Sequence, residues 1–403
     1  MHLPLVWRGG CAEAGAEMRV PPTTRVVLAL GVAQTLAWAS SYYLPAILAR
    51  PMAAEFGLST ATLYGFFSAS LLLAALLGPW VGRVIDRRGG RGVLLASNLL
   101  FAAGLAGLAL AQGPLSLALG WGVLGLGMAL GLYDTAFATL AGLFGSAAKG
   151  PITGITLLAG FASTIGWPLS TLMEAEFGWR GACLGWAVLH LALGLPLHRW
   201  LVPPAPPPAP LSRPAADAPP DAPVPANAMA VLIFFSAAVT VVAGAIGAHL
   251  PGLILAAGAT PEHALLAASL TGPAQVGARL LQFSLLRRMP TLLVAQLACL
   301  MQAAGALVLL LAGAPGAIVF VLLYGAGAGM HTIAKGTLPL AIFGPAGYGA
   351  RQGIISAPGR ILQAGAPLGF GLLLAQFGAA AAWATAALSL AAFLALLALR
   401  PRR

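Results

Sequence analysis

The sequence predicts an all-α membrane protein of twelve transmembrane helices arranged as two pseudo-symmetric six-helix halves, and three observations carry that expectation. Hydrophobic residues make up 59% of the 403 and charged residues only 8%, against about a quarter charged in soluble domains, so a water-soluble globule is excluded. The apolar residues recur in runs long enough to cross a bilayer, which takes about 20 mainly apolar residues. A proline-rich interruption near the middle divides those runs into two sets of nearly equal length.

Residues 1–25 carry Arg8, Glu13, Glu17 and Arg19 and lack the apolar stretch and small-residue cleavage site of a signal peptide, so they read as a cytoplasmic tail. The first half, 26–201, holds runs at 26–48, 62–81, 92–111, 115–144, 151–173 and 180–201. Segment 202–227 is a linker, because its repeated prolines remove backbone donors and fix φ, favouring extended polyproline II over helix. The second half, 228–399, holds runs at 228–257, 263–286, 291–312, 317–343, 353–377 and 379–399, and a basic tail, 400–403, closes the chain. The glycine-rich stretches GVLGLGMALG and GAGAG suit close helix packing. No Walker lysine motif accompanies them.

The net charge of +11 follows from topology rather than from an acidic partner. Even-numbered loops hold the arginines and lysine: Arg83, Arg87, Arg88 and Arg91, then Lys149, Arg199 and Arg213, then Arg287 and Arg288, then Arg351. Odd-numbered loops hold Arg50 and Arg180 beside the acids Glu55, Glu174, Glu176 and Glu262. This asymmetry predicts cytoplasmic termini and linker, in what is expected to be a bacterial inner membrane. Nucleic acid is not an expected partner, a monomer is expected, and no cofactor is implied. The cysteines Cys11, Cys183 and Cys299 are too far apart to suggest a disulfide framework or a metal site.

The strongest local pattern is the tight loop GRVIDRRGGRG after the second run, with Gly82, Asp86, Arg87, Gly89 and Arg91 at fixed spacing. An Asp beside a helix N-terminus meets the positive end of the macrodipole. The pattern resembles the loop motif of the major facilitator superfamily, and with twelve runs and a central linker the resemblance covers essentially the whole chain. It implies an alternating-access transporter in which Asp86 latches the cytoplasmic ends of the halves together. Its partner is then expected at the start of span eleven, near 349–353, with Arg351 in reach.

Ionisable groups inside the runs come next, since they are costly at membrane depth and tend to face a cavity. Asp134 is the only acid well inside a run and is the expected proton-coupling group; Arg279, Lys335 and Arg360 are the cations, and His331 lies four residues before Lys335. Snorkelling to the headgroups is the competing explanation for the basic residues, above all Arg360. Span eight is also similar to that of the monocarboxylate and oxalate/formate branch, where an Arg pairs with the substrate carboxylate. Arg279 and Gly277 match, whereas Gln275 stands where some members have an acid. Gln34, Trp38, Tyr42 and Tyr43 on span one, with Thr156, Thr164 and Trp167 on span five, would give a cavity amphipathic walls, though Tyr and Trp also anchor helices at interfaces. His249 is a further possible proton relay.

The expected function is therefore secondary transport of a small organic anion, monocarboxylate-like, coupled to protons or to exchange. The substrate set is Arg279, Lys335, Tyr42, Trp38, Gln34, Gln275, His331 and Arg360. The alternatives are a proton-driven exporter of amphiphilic drugs or metabolites and, from another class, a polytopic membrane enzyme. The enzyme is disfavoured because no paired-carboxylate, metal or Ser-His constellation occurs.

Overall fold

The computed structural model describes residues 22–204, 224–285 and 288–399. Most of the N-terminal tail, most of the linker with Arg213, Arg287 and the basic tail 400–403 lie outside the described residues. The first half comprises α1 (Pro22–Ser40), α2 (Pro45–Glu55), α3 (Thr60–Arg88), α4 (Arg91–Ala109), α5 (Pro114–Gly131), α6 (Tyr133–Phe144), α7 (Lys149–Ala159) and α8 (Ala162–Leu189). Two π-helical turns, His190–Gly194 and Leu197–Leu201, continue α8. The second half comprises α9 (Ala228–Ala256), α10 (Pro261–Ser269), α11 (Thr271–Ser284), α12 (Thr291–Ala312), α13 (Ala317–Phe343), α14 (Tyr348–Phe377) and α15 (Ala382–Leu397). No strand occurs among the described residues.

These fifteen helices make twelve spans because several spans are interrupted. The pairs α1/α2, α5/α6 and α10/α11 are each one span broken within the membrane. The helix α7 joins the first part of α8 as span five, and Gly178 (φ 67°, ψ 173°) turns the chain so that Trp179 opens span six. Only glycine adopts that φ without strain, so the reversal is written at one residue.

The break in span four is the one that shapes the site. Leu132 is extended (φ −85°, ψ −174°), which exposes carbonyls at the end of α5. Two side chains satisfy them: Gln34 Nε2 donates to Gly131 O at 2.6 Å, and Thr135 Oγ1 donates to Ala129 O at 3.1 Å. The sequence shows one uninterrupted apolar run at 115–144, since hydropathy does not distinguish a broken span from a whole one. As a result Asp134 lies in the first turn of α6 rather than in mid-helix. There the helix macrodipole favours its negative charge.

Large apolar side chains such as Leu76, Trp80, Leu184, Val188, Leu311 and Leu372 are exposed around the bundle, the surface a lipid phase requires. The first half packs as one buried cluster, and Leu340 and Tyr348 of the second half are part of it. Both lie at the arginine-rich end, so the halves share a core there. At the opposite end Glu55 clasps the first half: Arg180 Nη2 is 2.6 Å from its Oε1 and Trp179 Nε1 donates to its Oε2 at 2.6 Å. Arg180 also donates to the carbonyls of Ala109 and Ala111. The Arg180 bonds, and then the Trp179 bond, hold the Glu55 carboxyl below its ordinary range.

Candidate functional site

The arginine-rich loop is built around two glycines and an acid. Gly82 lies where α3 crosses α14, so near that a Cβ there would collide with the Gly349 backbone. One turn along, a Cβ on Gly353 would sit 2.6 Å from Gly78 O. Gly89 ends α3 at φ 78°, a conformation that favours glycine. Between them Asp86 accepts from Gly349 N through Oδ1 and from Ala350 N through Oδ2, each at 2.8 Å. The helix α14 has no side-chain cap of its own, and its N-cap, Gly347, is left-handed. Asp86 therefore caps it from the other half of the protein. Arg91 donates to Arg199 O, tying the loop to the end of span six. Arg87 is exposed, with no hydrogen bond or ion pair among the described residues. Arg351 bonds the carbonyls of Gly344 and Ala346 and lies over the Phe343 ring, closing its own loop. Lys149 Nζ donates to Met289 O at 3.1 Å, a second bridge between halves at this end.

Deeper in, the break before α6 brings Asp134 against α14. Its Oδ2 is 2.6 Å from Arg360 Nη2, and its Oδ1 accepts from Gln352 Nε2 at 3.1 Å and Ser356 Oγ at 3.4 Å. Residues 352, 356 and 360 recur every fourth position, so a single face of α14 meets this carboxylate. Sequence reasoning missed Gln352 and Ser356; their four-residue spacing from Arg360 was the available signal. Lys335 Nζ donates to Thr240 Oγ1 at 2.8 Å, another partner the sequence left unmarked. His331 is buried edge-on to Phe235, with neither ring nitrogen hydrogen-bonded. His249 Nε2 donates to Pro367 O at 2.8 Å.

Arg279 is the most buried of the three intramembrane cations and, like Lys335, has no ion pair among the described residues. It is 5% exposed, yet among the described residues its side-chain hydrogen bonds are long ones from Nη2 to Thr332 Oγ1 at 3.3 Å and Gln275 Oε1 at 3.5 Å. Its Nε is buried without a partner, and no carboxylate among the described residues pairs with it. The guanidinium reaches across to the first half, where Nη1 lies so near Gly160 that a Cβ there would displace it. Just beyond Gly160, Ser163, Thr164 and Trp167 lie along one face of α8 that borders an open cavity.

Of the span-one residues, Tyr42 accepts from Gln363 Nε2 at 3.3 Å across the halves, and Trp38 packs on Tyr42 and Tyr133 with ring centroids 5.1 and 4.9 Å away. Tyr43 meets Trp167 edge-on at 5.8 Å. Gln34 is fully buried and spent on the α5/α6 break, and Thr156 is likewise buried, bonded to Thr153 O. The sequence-predicted residues thus fall into separate contacts, Asp134 with Arg360, Arg279 with Gln275, Lys335 with Thr240 and Tyr42 with Trp38 and Gln363, while Gln34 is spent on the α5/α6 break.

A family model described as Major Facilitator Superfamily matches residues 30–339. Among solved structures, the chain is similar to the human organic anion transporter MFSD10, with 17% identity and a TM-score of 0.73, covering 94% of this chain and 100% of that one. It is also similar to the proton:xylose symporter XylE, with 14% identity and a TM-score of 0.69 over 92% and 94% of the two chains. The fucose:proton symporter FucP of E. coli gives 15% identity and a TM-score of 0.69 over 94% and 98%. At these identities the likeness is one of fold. No curated protein sequence matches the chain.

Proposed function

The chain belongs to the major facilitator superfamily and is an integral membrane transporter rather than an enzyme, and from that premise we propose that it carries a small organic anion by alternating access. The observation that supports this reading is the Arg279 guanidinium, 5% exposed and without an acid partner among the described residues. A buried charge is strongly disfavoured unless paired, so an anion from solution completes the site. Arg360 has no such need, because Asp134 already neutralises it. A planar guanidinium also holds both oxygens of a carboxylate at once. The organic anion transporter named above has the same fold, which is compatible with this substrate class.

Asp134 is the proton-coupling group of this proposal. Protonation removes its charge and releases Arg360, which loosens α14 from α6. The arginine-rich end then faces the cytoplasm, as the loop charges indicate, and Asp86 holds that end closed while the cavity stands open on the other side. The test is calorimetry on the purified chain with carboxylates and with organic cations, followed by uptake into proteoliposomes under an imposed pH gradient. Carboxylate binding that disappears in Arg279→Ala is the expected result. Cation binding independent of Arg279 would overturn it.

A further inference from the structure

The two halves carry different chemistry. The cations Arg279, Lys335 and Arg360 stand on α11, α13 and α14 of the second half. The linked aromatic side chains Trp38, Tyr42, Tyr43, Tyr133 and Trp167 stand on the first, with Tyr324 of the second half near Tyr42. These rings form one continuous surface: Tyr133 to Trp38 at 4.9 Å, Trp38 to Tyr43 at 6.3 Å, and Tyr43 to Trp167 at 5.8 Å between centroids. Four are half-buried, with Trp38, Tyr42 and Tyr133 backed by the first-half core, and Trp167, beside the open cavity, is 43% exposed. Trp38 Nε1 has no hydrogen-bond partner. The Arg279 guanidinium lies against Gly160, three and four residues before Ser163 and Thr164, which border the open cavity.

We propose that the transported anion is an aryl carboxylate, its carboxylate on Arg279 of the second half and its ring against the Trp38, Tyr43 and Trp167 face of the first. The inference rests on the anion reading given above and narrows it. A carboxylate of two or three carbons would leave the aromatic wall wet. An aryl group covers that wall by offset or edge-to-face contact, the geometry aromatic rings prefer. Aromatic walls also bind organic cations. Here the unpaired Arg279 guanidinium opposes a cation and favours an anion. A ligand held in this way touches both halves, so its binding draws them together and links occupancy to the change of access.

The test compares four probes on the full chain by calorimetry: 2-naphthoate, acetate, the neutral 2-naphthamide and benzyltrimethylammonium. The expected result is 2-naphthoate bound at least tenfold more tightly than acetate, with no binding of the amide or the ammonium ion. Trp167→Leu and Tyr43→Leu should each lower the naphthoate-to-acetate affinity ratio at least threefold. Trp167 stands at the cavity edge, so its replacement leaves folding intact even if Tyr43→Leu does not. Equal affinity for the two carboxylates, or a ratio unchanged in Trp167→Leu, overturns the aryl assignment while leaving the anion reading in place. Binding of the ammonium ion alone, or of no carboxylate, overturns both.

Discussion

Arg360 holds the carboxylate of Asp134 at 2.6 Å, while Arg279, more deeply buried, has no carboxylate partner among the described residues. Arg360 thus joins α14 to α6, and the proposal above gives Arg279 the anion.

Arg279→Lys should weaken carboxylate binding although the charge is kept, because an ammonium cannot hold both oxygens in one plane. Arg279→Ala should abolish it. Calorimetry with a carboxylate probe checks both, and an Ala variant that binds as tightly as the parent would remove Arg279 from the site.

Gly160→Ala should reduce the same affinity with no change of charge. The added methyl occupies the place of the Arg279 Nη1 atom and pushes the guanidinium from its seat. Carboxylate affinity at unaltered thermal stability is the measurement. Unchanged affinity would mean that Arg279 binds from another rotamer.

Asp134→Asn should abolish pH-driven accumulation while leaving exchange at equal pH. It should also destabilise the protein, since Arg360 loses its counter-charge. A double-mutant cycle with Arg360→Gln should give a coupling of about 0.5–3 kcal/mol, the range for groups in direct contact. Normal pH-driven uptake by the Asn variant would refute the coupling role.

Asp86→Asn should loosen the arginine-rich end by about 0.3–2 kcal/mol, the worth of a charge at a helix N-terminus. Gly82→Ala should act in the same direction by forcing α3 from α14. In a background lacking Cys11, Cys183 and Cys299, a cysteine at Ser356 should be labelled faster by a water-soluble thiol reagent in either variant. Labelling at the parental rate, with expression retained, would confine Asp86 to a topogenic role.

Acid should release the Glu55 clasp. Its carboxyl titrates lower in the folded protein than the ordinary value of 4.5, so its contribution to stability is present above that value and lost as pH falls through the lower, folded one. Thermal unfolding followed downward from pH about 5 should show an acid loss that Glu55→Gln lacks. Salt should weaken the effect, because the pair is exposed.

Most of the architecture was legible in the sequence because hydropathy and loop charge are local properties. Asp86 was legible for the same reason, its motif being contiguous. The centre of the protein was not. Asp134 and Arg360 lie on helices of different halves, and nothing in the residues around either names the other. Gln352, Ser356, Thr240 and Thr332 are uncharged side chains in apolar helices, and only the packing shows which of them turn toward an ionised group. The break at Leu132 was equally hidden, since Gln34, which stabilises it, comes from another span.

Where α3 crosses α14, Gly78, Gly82, Gly349 and Gly353 let backbone meet backbone. Immobilising side chains on closure costs rotamer entropy, and glycine has none to lose. At this crossing closure restores backbone contact and the two hydrogen bonds to Asp86, so the side chains that must be reordered are confined to the neighbouring core around Leu340 and Tyr348.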